Sequence, residues 1–290
     1  MRKKVLRGVP QGSILGPLLF LMYVNDLHRS CKKLTMITYA DDTNLFYSDD
    51  NPANITSTVE QELKNICLWF QINKLLVNVK KTCSVMFSSR SKIVPPECKG
   101  ISVKNDFIPF SSHAKFLGII IDKHLSWEPH VDYISSKISR GVGILSKLRH
   151  HLPCYILLSI YNAIILPYFT YCNIVWGNNY SSRLQKLVSL QKRAIRFIAH
   201  TNSNTRSNPI FSSLNTLKVS DINKLQIACF LHQYNNRLLP NCFDNLFTVR
   251  NSIHSYSTRR NDHFNLPLKR LTSSHYCICF PKFGIHLMKI

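Results

Sequence analysis

The spacing of hydrophobic and polar positions changes several times along the chain, and each change marks an element. Residues 14–24 are almost wholly apolar and follow the turn Gly8-Val9-Pro10-Gln11-Gly12-Ser13. Pro17 suits the first turn of a helix, so a helix to about Asp26 is predicted, with Leu18, Leu21, Met22 and Asn25 on one face. Two short runs rich in strand formers come next, Leu34 to Thr38 and Asn44 to Tyr47, joined by Tyr39-Ala40-Asp41-Asp42. That is a hairpin pattern with an acidic tip, although its turn has no glycine. Ile55, Val59, Leu63, Ile66 and Phe70 then recur at three and four residues, which predicts an amphipathic helix over about 54–74. After the polar stretch Asn78-Val79-Lys80-Lys81-Thr82, alternation at Cys83, Val85 and Phe87 predicts a strand. The run Phe116 to Asp122 reads as one buried strand, in which Gly118 permits close backbone approach.

Beyond Asp122 the period becomes helical. Val131, Ile134, Ile138, Val142, Leu145 and Leu148 form a stripe over about 127–150, with Ser126 able to cap it and Lys137, Arg140, Lys147 and Arg149 elsewhere on the cylinder. A second basic helix is predicted over about 183–200. Its Leu184, Leu187, Val188, Ala194, Ile195 and Ile198 point one way, and Arg183, Lys186, Lys192, Arg193 and Arg196 the other. Between these helices, Leu152 to Ser182 holds no charged residue and is long enough to span a membrane. Pro153 and Pro167, with Asn162 and Asn173, favour two short buried helices instead, each begun by a proline. Residues 202–208 read as a polar loop and 219–236 as a helix, after which the pattern fades.

Charge adds a partner class. The formal net charge is +22, and it is uneven: residues 1–132 hold 17 Lys+Arg against 12 Asp+Glu, whereas 133–290 hold 20 against 3. Such a surplus points to a polyanion, nucleic acid before membrane, because many phosphates can be neutralised together with release of counterions. Five positive residues within the second helix, with no acid among them, favour phosphate contact over a merely solvated face. Ten irregularly spaced cysteines do not form a secreted disulfide framework in 290 residues, so reduced thiols in an intracellular compartment, nucleus or cytoplasm, are expected. The tip adds chemistry. Two adjacent carboxylates repel one another and persist as anions most readily beside a cation such as Mg²⁺; a solvated Asp-Asp turn is the alternative.

The segment GVPQGSILGPLLFLMYVNDL, followed about a dozen residues later by YADD, resembles the reverse transcriptases of non-LTR, LINE-type retrotransposons, most of all the jockey group. The resemblance rests on two long motifs in the right order at the right separation. It implies that Asp41 and Asp42 are catalytic carboxylates and metal ligands, Asp41 the stronger, with Mg²⁺ as cofactor, or Mn²⁺ in its place. Tyr39 and Ala40 would lie by the primer end, and Gln11, Gly12 and Ser13 by the template and incoming nucleotide. Lys81 would sit near the triphosphate as a catalytic cation, or else form a solvated pair with Lys80. Phe116, Leu117 and Gly118 resemble the primer grip. Lys137, Arg140, Lys147, Arg183, Lys186, Lys192, Arg193 and Arg196 would line the nucleic-acid backbone.

The fold class so implied is α+β: a partial polymerase palm, an antiparallel sheet with helices on one face, followed by an all-helical basic thumb-like region. The expected divisions are 1–125, 126–200 and 201–290. The implied function is RNA-directed DNA polymerase, copying an RNA template from a DNA primer with deoxynucleoside triphosphates by two-metal nucleotidyl transfer. The family draws a further aspartate from upstream of Gly8, so the chain is expected to be inactive alone. A non-catalytic nucleic-acid-binding remnant of the same element is the alternative. No membrane and no obligate protein partner are expected.

Overall fold

The computed structural model describes residues 9–10, 12–90, 95, 98–104, 106–244, 246–249, 264–265 and 276–287. Helix α1 (Leu15–Val24) leads through a 3-10 turn at Leu27–Ser30 into the hairpin of β1 (Thr35–Tyr39) and β2 (Asp42–Asp49). Pairing runs from Thr35–Phe46 to Tyr39–Asp42, leaving Ala40 and Asp41 as a two-residue loop. Helix α2 (Pro52–Ile72) starts as its sequence allows. Asn51 Oδ1 accepts the Ala53 N–H at 3.0 Å, and Pro52 takes a first-turn position that needs no amide donor. The stripe Ile55, Val59, Leu63, Ile66 and Phe70 is exposed by 1 % or less at every position. Burial contributes about 1.5–3 kcal/mol for each such side chain, so α2 anchors the core against the sheet.

Strand β3 (Leu75–Phe87) is one strand of 13 residues, where the pattern suggests a polar stretch and then a short strand. Two hairpins follow: β4 (Gly100–Val103) with β5 (Asp106–Pro109), and β6 (His113–Phe116) with β7 (Ile119–Asp122). The second corrects the single strand expected over Phe116 to Asp122. The chain reverses at Leu117 and Gly118, whose φ values of 43° and 89° are the two left-handed residues that a tight hairpin turn requires.

From Trp127 the chain is mainly helical: α3 (Glu128–Leu148), α4 (Cys154–Ile164), α5 (Leu166–Thr170), α6 (Asn173–Trp176), α7 (Ser181–Ile198), α8 (Ser207–Ser213) and α9 (Val219–Asn235). A two-residue ladder of β8 (Thr248–Val249) and β9 (Phe264–Asn265) lies beyond these helices, outside the 126–200 span expected to be all-helical. The residue at the head of α3 is Trp127, at φ 63°, rather than the expected cap Ser126. The uncharged stretch folds as α4 to α6, with Pro153 before α4 and Pro167 in the first turn of α5. Among the described residues no helix is long and apolar enough to cross a membrane.

Strand β10 (Tyr276–Leu287) returns to the first sheet, which is antiparallel throughout in the order β1-β2-β10-β3. Nothing in the sequence pattern announces it. Its pairing slips beside Pro281, between Phe280 and Phe283 against β2 and between Cys279 and Lys282 against β3. Proline has no N–H to give the ladder, which accounts for a slip there.

The chain therefore divides into two units, Met1–Ser126 with Leu271–Ile290, and Trp127–Arg270. The region expected over 201–290 is not a unit of its own. In the second unit, α3, α4, α5 and α7 share one core built on Ile138, Leu157, Tyr161, Phe169, Trp176 and Ile195. Buried Gln191 ties it together, donating to Tyr161 Oη and to the Leu217 carbonyl while accepting the Val219 N–H at 3.0 Å. Burial pushes the Tyr161 hydroxyl up to about 12, so it stays protonated. None of the eight described cysteines is in a disulfide, and burial raises the thiols of Cys31, Cys67, Cys83 and Cys172.

Candidate functional site

The hairpin tip is presented to solvent. Ala40 has φ 50°, a left-handed conformation costing an L-residue roughly 1–2 kcal/mol, and it holds the loop to two residues. Tyr39 is 63 % exposed and Asp41 is exposed, while Asp42 is half-buried and paired in register with Tyr39. The two carboxylates thus differ in setting: Asp41 belongs to the loop and Asp42 to the first rung of β2.

Strand β10 relates this tip to the lysines. Gly284 lies opposite Asp42 on one side and opposite Asn78 on the other, so Asp42 and Asn78 are separated by two interstrand spacings, about 10 Å. The next residue of β3 in register is Cys83, opposite Lys282, so residues 79–82 bulge from the ladder. Asn78 holds the bulge: its Oδ1 accepts the Lys81 N–H at 3.2 Å, and its carbonyl accepts the Thr82 hydroxyl at 2.9 Å. Lys80 and Lys81 are exposed on it. The acidic tip and the lysine bulge occupy the same end of the sheet, one strand apart.

The other expected residues are placed less decisively. Gln11 lies outside the described residues. Gly12, at φ 87°, turns the chain, and Ser13 follows with its N–H on the Pro10 carbonyl and its carbonyl accepting the Gly16 N–H. In α1, Leu18, Leu21 and Met22 are exposed by 56, 57 and 68 %. Phe116, Leu117 and Gly118 form the bend of the second small hairpin. Among the described residues no three His, Cys, Asp or Glu side chains gather as a metal cluster. The tip offers two oxygen ligands, which suits Mg²⁺, an ion held by one or two carboxylates and otherwise by water and phosphate.

In the second unit the expected backbone-binding residues split into two groups. Arg183 pairs with Glu128 at 2.8 Å and Lys186 with Asp132 at 2.9 Å, so the acids missing from α7 are supplied by α3. Lys137 lies over the Tyr133 ring. Arg140 and Lys147 are exposed and Lys192 is half-buried. Arg193 and Arg196 line a cavity together with Arg149, a residue that sequence reasoning leaves out of the site. Arg149 sits at the end of α3, out of sequence reach of α7, and only the packing of α3 on α7 joins them.

Residues 1–121 match the family model of reverse transcriptase (RNA-dependent DNA polymerase). Over this stretch, somewhat under half of the chain, the sequence is similar to the reverse transcriptase family. The chain is also 28 % identical over 234 residues to the RNA-directed DNA polymerase from mobile element jockey of Drosophila melanogaster, covering 77 % of this chain and 25 % of that protein. It is 29 % identical over 246 residues to the probable RNA-directed DNA polymerase from transposon BS of the same fly, 81 % of this chain and 26 % of the relative. The probable enzyme from transposon X-element is 27 % identical over 229 residues, 76 % and 25 %. These relatives agree with the likeness to jockey-group retrotransposons stated from the two motifs. The alignments are too long to be confined to the reverse transcriptase segment and so extend into the helical unit. The chain spans about a quarter of the length of these relatives. No solved structure gives a significant match.

Proposed function

We propose that the chain supplies the metal-binding tip and a nucleic-acid-holding region of an RNA-directed DNA polymerase that extends a DNA primer on an RNA template. The observation that carries this reading is the shared end of the sheet, where Asp41 and Asp42 stand one strand away from Lys80 and Lys81. Opposite charges carried on strands whose backbones lie about 10 Å apart suit a triphosphate lying between them: carboxylates at the reacting end, a cation at the leaving end. Mg²⁺ bound by Asp41 and Asp42 would neutralise the α-phosphate and favour ionisation of a primer hydroxyl.

The remaining work falls to side chains of this chain. Lys81, raised on its bulge, offers an N–H⁺ donor to the departing pyrophosphate. Tyr39 presents a ring beside the tip on which a terminal sugar or base can rest. Gln11, Gly12 and Ser13 would bound the template and nucleotide, and the turn Phe116-Leu117-Gly118 would steady the primer. Lys137, Arg140, Lys147, Lys192, Arg193 and Arg196 would contact backbone phosphates. Arg183 and Lys186 would do so only after leaving Glu128 and Asp132.

Primer extension on an RNA template, by the polypeptide that carries this segment, tests the reading. Asp41→Ala is expected to lower extension by at least about a hundredfold, given the size of electrostatic terms at such sites. Equal extension by the variant contradicts the proposal. Oligonucleotide binding without extension by either protein would favour the non-catalytic remnant.

A further inference from the structure

We propose that the helical unit holds the sugar-phosphate backbone of a nucleic-acid strand in one built cavity, lined by Arg149, Arg193 and Arg196. This inference rests on the polynucleotide reading above and says where the strand is gripped.

The cavity measures about 810 Å³, opens to solvent, and is also lined by Phe197, Ser189 and the loop 201–204. Its arginines are positioned by neutral groups. The Arg149 and Arg193 guanidinium carbons lie 5.1 and 5.5 Å from the centre of the Phe197 ring. Arg149 Nε donates to His150 Nε2 at 3.0 Å, and Arg196 Nε donates to the Thr205 carbonyl at 2.9 Å. A guanidinium resting over a ring still has N–H groups to offer, and its fork of donors can grip two phosphate oxygens at once. Holding the heads over a ring also removes rotamer freedom before any ligand arrives.

The pattern of ion pairs along α7 separates this site from a merely basic surface. Among the described residues the ion pairs of the unit engage Arg183, Lys186 and Lys224, and none engages these three arginines. The first turns of α7 are thus neutralised by α3, whereas its last turns keep their charge. Helices α3 and α7 both end near the cavity, each contributing roughly half a negative charge from its last carbonyls, which three whole positive charges outweigh. The hydroxyls and amides of Ser189, Thr201, Asn202, Ser203 and Asn204 suit a wet sugar-phosphate surface better than an apolar ligand. Residues 127–270 hold 18 Lys+Arg against 5 Asp+Glu, which favours a polymeric anion over an isolated one.

The test is titration of the full chain with a labelled single-stranded oligonucleotide over a range of salt concentrations. The variant Arg149→Gln/Arg193→Gln/Arg196→Gln is expected to bind about tenfold or more weakly, with a salt slope reduced by about two to three, roughly one for each phosphate no longer neutralised. Lys224→Gln, at a charge already paired with Asp221 and outside the proposed contacts, should stay within about threefold of the parent. If the glutamine variant melts, the corresponding triple lysine variant is read instead: weaker binding with the slope kept supports the fork geometry, and unchanged affinity overturns it. Unchanged affinity and slope in the folded glutamine variant overturn the site. Displacement of the oligonucleotide from the parent by inorganic triphosphate at equal phosphate concentration also overturns it, in favour of a small-anion pocket. Asp41→Asn should bind like the parent, so failure of polymerisation and failure of this grip are separately visible.

Discussion

At the scale of single residues, backbone conformation decided what could be read. Leu117 takes φ 43° without the asparagine or glycine that normally announces such a turn, and an unbroken apolar run therefore passed for a strand. Leu117→Asn, which accepts a left-handed backbone more easily and restores an Asn-Gly turn, should raise stability by about 0.5–1 kcal/mol in denaturant unfolding. A loss of stability would mean that the half-buried leucine side chain outweighs its strain. His130 makes a second residue-scale prediction. Buried beside Tyr133 and Trp176, it is pushed down from 6.5 to about 4 by loss of hydration. Its folded value lies below its unfolded value, so its contribution is complete above about pH 6.5 and is lost as pH falls toward 4. Between pH 7 and pH 5 the parent should lose on the order of 1 kcal/mol that His130→Phe does not, measured as the slope of unfolding free energy against pH.

Among the elements, local signals were read well and long-range ones poorly. The hairpin of β1 and β2 and the helices α2, α3, α7 and α9 were visible because their periodicity and turn residues are contained in one short window. The bulge of β3 was not, since it exists only through the pairing with β10 some 200 residues away, where Gly284 faces Asn78 and Lys282 faces Cys83. The setting of the α7 charges depends on the same kind of distant contact: its first two basic residues meet Glu128 and Asp132 of another helix. Gln191 shows the same dependence, a polar residue at an inward position whose partners lie on α4, just before α9 and at the first residue of α9. Gln191→Leu leaves the Val219 N–H and the Leu217 carbonyl without that side chain and should cost about 2–4 kcal/mol in chemical unfolding of the chain. A cost below about 1 kcal/mol would show that these groups find other partners.

For the whole molecule, the motifs were more informative than the architecture. The acidic tip, the glycine turn and the basic second half were readable because their chemistry is local or compositional. The division into two units was not, because β10 carries the chain end back into the first sheet while the residues before it belong with the helices. The central claim is that Asp41 and Asp42 hold a divalent cation at the sheet end they share with the lysine bulge. Electron paramagnetic resonance of Mn²⁺ titrated into the full chain tests it directly, comparing the parent with Asp41→Asn/Asp42→Asn. The expected result is Mn²⁺ binding that Mg²⁺ displaces and that the double variant loses; identical binding by both proteins would contradict it.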